Sequence, residues 1–497
     1  MKRYTLLLVS LFILGSLFCG GGGGSSGNTD NSTYSVTYLA NEANSGYVPN
    51  DYSSYKKGQT VTVLGNTGNL VRAHYSFNGW STTQDGNGTT YTQGETFTMG
   101  STNVTLYAKW ISNPTYKVIY IANDADSGDV PIDSTNYEEG QTATILGNNS
   151  LVKSGYGLVW WNSAADGTGT TYLKGKTFLI GTADITLYAI WKYDNYVAGS
   201  YNNGTYNVAC YWKNGEKIDL HNTSNSSASS VLVSETDTYV TGSYYNGTYN
   251  VACYWLNGVK TDLITQNNSH VTDMFVSGTD VYSSGYYVSG RNIACYWKNS
   301  TRYDLINTTG DSSAGSIFVS GSNVYTNGFY QSGVLIPCYW INSTIYYLPM
   351  VGVGNASTSS ISVSGTDVYV IGTHYNASSQ LKACYWKNTD NPVDLTITGS
   401  YNLLSVFVSG TDVYISGYNN NGSYEQACYW KNGIRTLLDS DGNKSYAFSI
   451  FVSGTDVYAA GYYTLGFTNI ACYWINGVRI DLHNGSSSAG FIKVINP

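Results

Sequence analysis

The chain has 497 residues, enough for about three domains, and only 11% of them are charged, with 24 Lys and Arg against 32 Asp and Glu for a net charge of -8. No basic stripe is present to displace counterions, which excludes a nucleic-acid binder. Glycine at 55 and tyrosine at 48 are abundant while proline is scarce at 7, a β-favouring, turn-rich balance that speaks against a helical enzyme and against disorder.

Lys2 and Arg3 precede an apolar run from Thr5 to Phe18, and Cys19 then opens into Gly20–Gly24 and a Ser/Asn/Thr stretch. The run is too short to span a bilayer but fits the core of a secretory signal peptide. A cysteine directly after such a core resembles a bacterial lipoprotein signal, although Ser16 and Phe18 depart from the usual residues. Residues 1–18 are therefore expected to be a signal peptide, with Cys19 lipidated and 19–33 a flexible tether.

Two copies of one pattern come next. Tyr34-Ser35-Val36-Thr37-Tyr38 recurs as Tyr116-Lys117-Val118-Ile119-Tyr120, and Asp85-Gly86-Asn87-Gly88-Thr89-Thr90-Tyr91 as Asp166-Gly167-Thr168-Gly169-Thr170-Thr171-Tyr172. Leu106-Tyr107-Ala108-Lys109-Trp110 recurs as Leu187-Tyr188-Ala189-Ile190-Trp191. Each copy alternates apolar and polar residues between Gly/Asn turns, as strands do. With Phe77-Asn78-Gly79-Trp80, these signatures resemble the internalin-type B repeat, also called the Listeria–Bacteroides repeat. The resemblance implies two small β-grasp-like domains, 34–111 and 115–192, of the kind found as spacers or weak adhesive modules in bacterial surface proteins. The second copy has Trp160-Trp161 in place of Gly79-Trp80, so its turn is expected to differ. The aromatic residues read as core, because a domain of this size needs them to bury enough area.

From Asp194 the repeat shortens. Cys-Tyr-Trp stands at Cys210, Cys253, Cys295, Cys338, Cys384, Cys428 and Cys472, and four short strands fit each interval. Such a unit is the mark of a propeller blade. The first copy lacks an innermost strand, and Ser488–Val494 supplies one at the C-terminus. Residues 194–497 are thus expected to form a seven-bladed β-propeller closed by pairing of the C-terminal strand with the first blade, in a mainly β chain. The seven Trp read as structural, and the seven Cys as buried hydrophobes rather than disulfide partners or zinc ligands.

Candidate chemistry is sparse. Asp194, Asp237, Asp280, Asp367, Asp412 and Asp456 look like a ligand ring, but their Ser-Gly-Thr-Asp setting is that of a tight turn. Asp439-Ser440-Asp441-Gly442-Asn443 is like the opening of a calcium loop, yet Ile450 occupies the twelfth position, where glutamate belongs. Gly310–Gly315 faintly resembles a serine-hydrolase motif, and His221 and His483 share one repeat position. No cofactor, metal site or catalytic residue is expected, and a non-enzyme is preferred to an extracellular polysaccharide hydrolase or lyase.

Loops between the second and third strands, and those leading into each new blade, vary while the other turns repeat. That variable face is the candidate recognition surface, offering Asn202, Tyr206, Tyr245, Tyr249, Tyr287, Arg291, Tyr330, Tyr375, Tyr424 and Tyr463 to an extracellular glycan or protein. The whole is similar to a surface lipoprotein, expected as a monomer that meets the membrane only through its lipid.

Overall fold

Short alternating runs between Gly and Asn turns become strands throughout a computed structural model, which describes residues 31–495 apart from 235–236, 265, 306–309, 396–399 and 440; among these residues there is no helix. The signal-peptide and Cys19 readings lie outside the described residues. The chain divides into two compact units, one built on the first repeat and one holding most of the second repeat with everything after it.

The first repeat is a mixed four-stranded sheet in the order Val36–Leu39, Val104–Ser112, Tyr75–Ser81, Thr90–Tyr91, with the first pair parallel. Its core gathers Val36, Tyr38, Val61, Leu70, Trp80, Met99 and Leu106. The fully buried Trp80 indole donates to the Leu64 carbonyl at 2.9 Å and meets the Tyr38 ring edge-on at 4.7 Å. Gly79 has φ +99°, and a Cβ there would lie 2.6 Å from the Tyr91 carbonyl oxygen.

The second repeat builds the same sheet from Val118–Ile121, Ile185–Tyr193, Tyr156–Asn162 and Thr171–Tyr172. Trp161 repeats the buried role of Trp80, donating to the Leu146 carbonyl at 3.1 Å. Four positions turn apolar, however: Asn78, Gly79, Thr92 and Lys109 of the first copy correspond to Val159, Trp160, Leu173 and Ile190. These four pack with Tyr458, Tyr473, Ile475, Ile480 and Leu482 from the end of the chain, in one continuous core. Lys192 reaches Asp456 at 2.8 Å. Strand Ile185–Tyr193 runs into Asn195–Asn202 with Asp194 alone between them. The second repeat is therefore fused to the C-terminal sheets.

Residues 194–495 form seven four-stranded antiparallel sheets, numbered one to seven by Cys210 through Cys472 in their third strands. The first strands are Ser487–Val494, Ser226–Ser234, Ser269–Ser277, Ser312–Ser320, Ser357–Ser364, Ser400–Ser409 and Ser445–Ser453. In sheet one that strand comes from the C-terminus, pairing Val494 with Asn195 through to Ser487 with Tyr201. Ser487–Val494 also lies against the first strands of sheets two and seven.

Every first strand carries a bulge in mid-course, such as that between Ala447 and Ser449. A bulge pushes one carbonyl towards the neighbouring strand. The second strand answers with the glycine of its Gly-Tyr-Tyr run: a Cβ on Gly461 would stand 1.8 Å from the Tyr446 carbonyl oxygen. That glycine is a requirement of close approach, not of turn geometry.

The third-strand Trp are at most 1% exposed, and the seven Cys beside them are free and buried. Each Trp burial is worth roughly 4–6 kcal/mol as an upper bound. Burial pushes the thiols up, Cys428 to about 12, so they are held as unreactive hydrophobes.

Candidate functional site

The repeated Asp residues work as turn clamps. Asn476, at φ +49°, begins a two-residue Asn-Gly turn, a conformation asparagine tolerates. Its Nδ2 donates to Asp456 Oδ1 at 2.7 Å, and its Oδ1 accepts the Val457 N–H at 2.9 Å. The same clamp holds Asn214 to Asp194, Asn257 to Asp237, Asn299 to Asp280 and Asn432 to Asp412. In sheet four Asn323 takes the place of Asp and accepts from Asn342 at 3.1 Å.

The calcium-like loop is occupied by a side chain. Arg479 reaches Asp439 at 2.6 Å, Asp441 at 2.9 Å and Asp481 at 3.3 Å, and lies 3.9 Å over the Tyr463 ring. Asp439 is only 8% exposed. Arg479→Met leaves that carboxylate with only the Asp441 N–H at 3.2 Å and no cation, and is expected to cost about 2–3 kcal/mol, less than a fully buried pair would. Chemical denaturation should show the loss, with Asp439→Asn in the same background restoring much of it.

The loop-face residues fall into two groups. Tyr206 and Tyr245 are 36% and 41% exposed. Asn202 caps Gly204 at 2.8 Å, Tyr249 and Tyr424 have their backbone N–H groups held by Asn246 and Asn421, and Arg291 is partly exposed. Tyr375 packs over Gly354.

Tyr287 and Tyr463, by contrast, are only 7% and 6% exposed. Their hydroxyls donate to Asp304 and Asp481 at 3.3 and 3.4 Å beneath Arg302 and Arg479. They join the second strand to the fourth, as Tyr201 and Tyr244 do with Asp219 and Asp262. Tyr330 sits at the same position, against Tyr347 at 5.7 Å. In sheet five the residue is His374, 1% exposed and 2.6 Å from Asp394. This His–Asp pair is the tyrosine clamp in another residue type.

Several residues on the loop end escaped sequence reasoning. Phe467 is fully exposed at a two-residue hairpin tip beside Gly466, at φ +63°. Val353, Leu465 and Leu381 are 91%, 59% and 50% exposed. An apolar residue inside a two-residue turn was the available signal, since nothing in turn geometry asks for phenylalanine there.

Just past the bulge, the first strands carry a residue that accepts from the next first strand: Ser360 from the Val406 N–H, Ser449 from Ile492 and Asp273 from Ile317, each at 3.3 Å. Burial pushes Asp273 up to about 6, opposed by hydrogen bonds from the Met274 and Ile317 N–H groups and by the nearby Ser230 hydroxyl. A raised acid binds its proton more tightly folded than unfolded, so its contribution is present at low pH and is lost as pH rises through about 6. Asp273→Ser is expected to be more stable than the parent by about 1–3 kcal/mol at pH 7.5, with the advantage gone near pH 4. Urea melts at the two pH values read this directly.

A cleft of about 710 Å³ lies between the second repeat and sheets one and seven, lined by Lys153, Trp160, Lys176, Tyr473 and Asp481 among others. Lys176 already pairs with Asp481 at 3.4 Å. Among the described residues no group of three or more His, Cys, Asp or Glu is placed to hold a metal ion.

Residues 34–109 and 116–190 each match the Listeria-Bacteroides repeat domain. A protein of Evansella cellulosilytica named as a Gly-rich membrane protein is 38% identical over 175 residues, 34% of this chain and 20% of that one. A second protein of that organism, named as a membrane protein, is 38% identical over 95 residues, 19% of this chain and 14% of its own length. The chain thus spans a fifth or less of either relative. Among solved structures, the β-propeller domain of the Trilobed protease from Pyrococcus furiosus aligns over 56% of this chain and 87% of its own, at 8% identity and TM-score 0.38. A Mycobacterium tuberculosis puromycin-hydrolyzing peptidase aligns over 58% and 53%, at 9% identity and TM-score 0.42.

Proposed function

We propose that this is a non-enzymatic, lipid-anchored protein of the cell surface, in which a B-repeat stalk presents a closed seven-bladed β-propeller that binds an extracellular glycan or protein. Ring closure is supported by the pairing of Ser487–Val494 with Asn195–Asn202 and by that strand's contacts with sheets two and seven. A surface location is supported by the two repeat matches and by relatives named as membrane proteins. The observation that carries ligand binding is the contrast between the two ends of the sheets. One end repeats the same Asn–Asp clamped turns, whereas the other carries dissimilar loops that expose Phe467, Val353, Leu465, Leu381 and Tyr245; the contrast lies in the variety of the loops, since Val259 and Ile434 are exposed on the clamped end as well. Rigid scaffolds with variable loops commonly carry recognition there, and an exposed aromatic is a natural anchor for a partner.

Glycan and matrix-protein arrays probed with the full mature chain test this reading. Binding should weaken in Phe467→Ser and Val353→Ser and persist in Asn432→Gly; binding to nothing on either array defeats it. Palmitate labelling that disappears in Cys19→Ala tests the anchor. One observation favours the rival hydrolase or lyase, namely the raised Asp273. However, its surroundings are the Ser230 hydroxyl and backbone N–H groups, whereas glycoside hydrolysis uses a second carboxylate. Turnover of a polysaccharide by the protein would replace the preferred reading with this one.

A further inference from the structure

We infer that the loop end of sheets six and seven holds a stacking site for a neutral saccharide, built from Tyr418, Tyr446, Phe448 and Tyr462. The inference rests on the ligand-binding reading above and supplies its place and chemical class.

The four rings form one cluster. Tyr446 meets Tyr418 edge-on at 4.8 Å and Tyr462 at 4.9 Å, and Phe448 lies 5.6 Å from Tyr462 and 6.4 Å from Tyr446, nearly parallel to it. None is fully buried. Two have polar neighbours: Asn402 Nδ2 donates to the Tyr418 hydroxyl at 3.4 Å, and the Glu425 carboxylate lies near Tyr446. Burial, with Glu425 second, raises Tyr446 to about 12, so this hydroxyl stays protonated and remains a donor.

Packing does not demand these rings. Tyr446 and Tyr462 are directly paired across the first and second strands of sheet seven. The equivalent pairs are Ser488 with Ser200 in sheet one, Ser227 with Ser243 in sheet two and Ser357 with Thr373 in sheet five. Three sheets thus make the same fold with small hydroxyl residues at these positions. Sheets three and four also carry rings here, His270 with Tyr286 and Phe329 opposite Ser313, so bulk at these positions is optional to the framework; what sheets six and seven add is four rings in one cluster. On either side of it, sheets one and five present hydroxyls, and Ser357 and Thr373 bond each other at 2.9 Å.

That alternation selects a ligand. Rings offer flat faces for the C–H side of a pyranose, while tyrosine, serine and threonine hydroxyls exchange hydrogen bonds with its hydroxyl groups. Glu425 is paired with Lys444 at 3.3 Å, so a polyanion would have to compete with a carboxylate for that cation. A flat apolar partner would make no use of the flanking hydroxyls of sheet one and would strip water from them at a cost in affinity.

The test titrates the full mature chain with cellohexaose, mannohexaose and chitohexaose, with polygalacturonate and fibronectin as contrasting arms. Tyr446→Ser/Tyr462→Ser installs residues that sheet one already carries at these positions, so its melting temperature should stay near the parent's. Saturable binding of at least one neutral hexasaccharide, weakened at least about tenfold in the double variant (1.4 kcal/mol) but unchanged in Asn432→Gly at the opposite end of the sheets, supports the site. If the double variant melts low, Tyr418→Thr, matching Thr373, takes its place with the same expectation. Binding indifferent to all these ring variants overturns the site while leaving loop-end recognition standing. Binding only to polygalacturonate or fibronectin overturns the ligand class. Binding to none of the five removes both this inference and the reading beneath it.

Discussion

A chain ended after Ser486 is expected to lose cooperative unfolding of all seven sheets and to aggregate. Removing Ser487–Val494 takes away the only partner of one edge of Asn195–Asn202. It also removes Ala489, Ile492 and Val494, which are at most 2% exposed. Ile492 and Val494 at about 1.5–3 kcal/mol each come to roughly 3–6 kcal/mol before the smaller Ala489, a large share of the whole stability of many domains. The bared strand then invites pairing between molecules. A synthetic peptide of residues 487–495 should restore a single unfolding transition when added in excess. Unchanged melting of the shortened chain would mean that the sheets do not depend on closure.

Trp160→Gly should separate the second repeat from the sheets it packs against. Glycine stands at this position in the first copy, so the repeat's own sheet tolerates it, and the bulge between Leu158 and Trp160 has its counterpart between Phe77 and Trp80. What is lost is the indole from the core it shares with Val159, Leu173, Ile190, Tyr473 and Ile475. Large-to-small changes of this kind cost about 3–5 kcal/mol. Calorimetry should show one transition in the parent resolve into two, and limited proteolysis should newly cut near Asp194. A single unshifted transition would show that the shared core contributes little.

Much of the architecture was readable because burial imposes it locally. The Ala-Cys-Tyr-Trp strands are apolar without alternation because they are covered on both faces, and the Asn-Gly turns announce their conformation. The tyrosines were harder. Tyr287, Tyr330 and Tyr463 end second strands, and whether such a residue faces the loops or the fourth strand is decided by register, which a one-residue shift reverses. The loop holding Asp439 and Asp441 resembles the opening of a calcium loop without its closing glutamate, and nothing local points to Arg479, some forty positions later, as the group that fills it. The fused second repeat was visible only by comparing its copies position by position: Trp160 was noticed as a turn irregularity, but Val159, Leu173 and Ile190 acquire meaning only together. Their partners lie roughly three hundred residues away, beyond any local pattern.

The junction at Asp194 has a mechanical consequence. Tension arriving through the second repeat passes along Ile185–Tyr193 straight into Asn195–Asn202, with no slack to absorb it. That strand is gripped by the C-terminal strand on one flank and by Asn207–Lys213 on the other. Load along the strand axis is therefore resisted in shear by two ladders at once rather than by bonds peeled open singly. Under the tethered reading proposed above, a pull from flow or a neighbouring cell would enter the sheets through a strand held on both flanks.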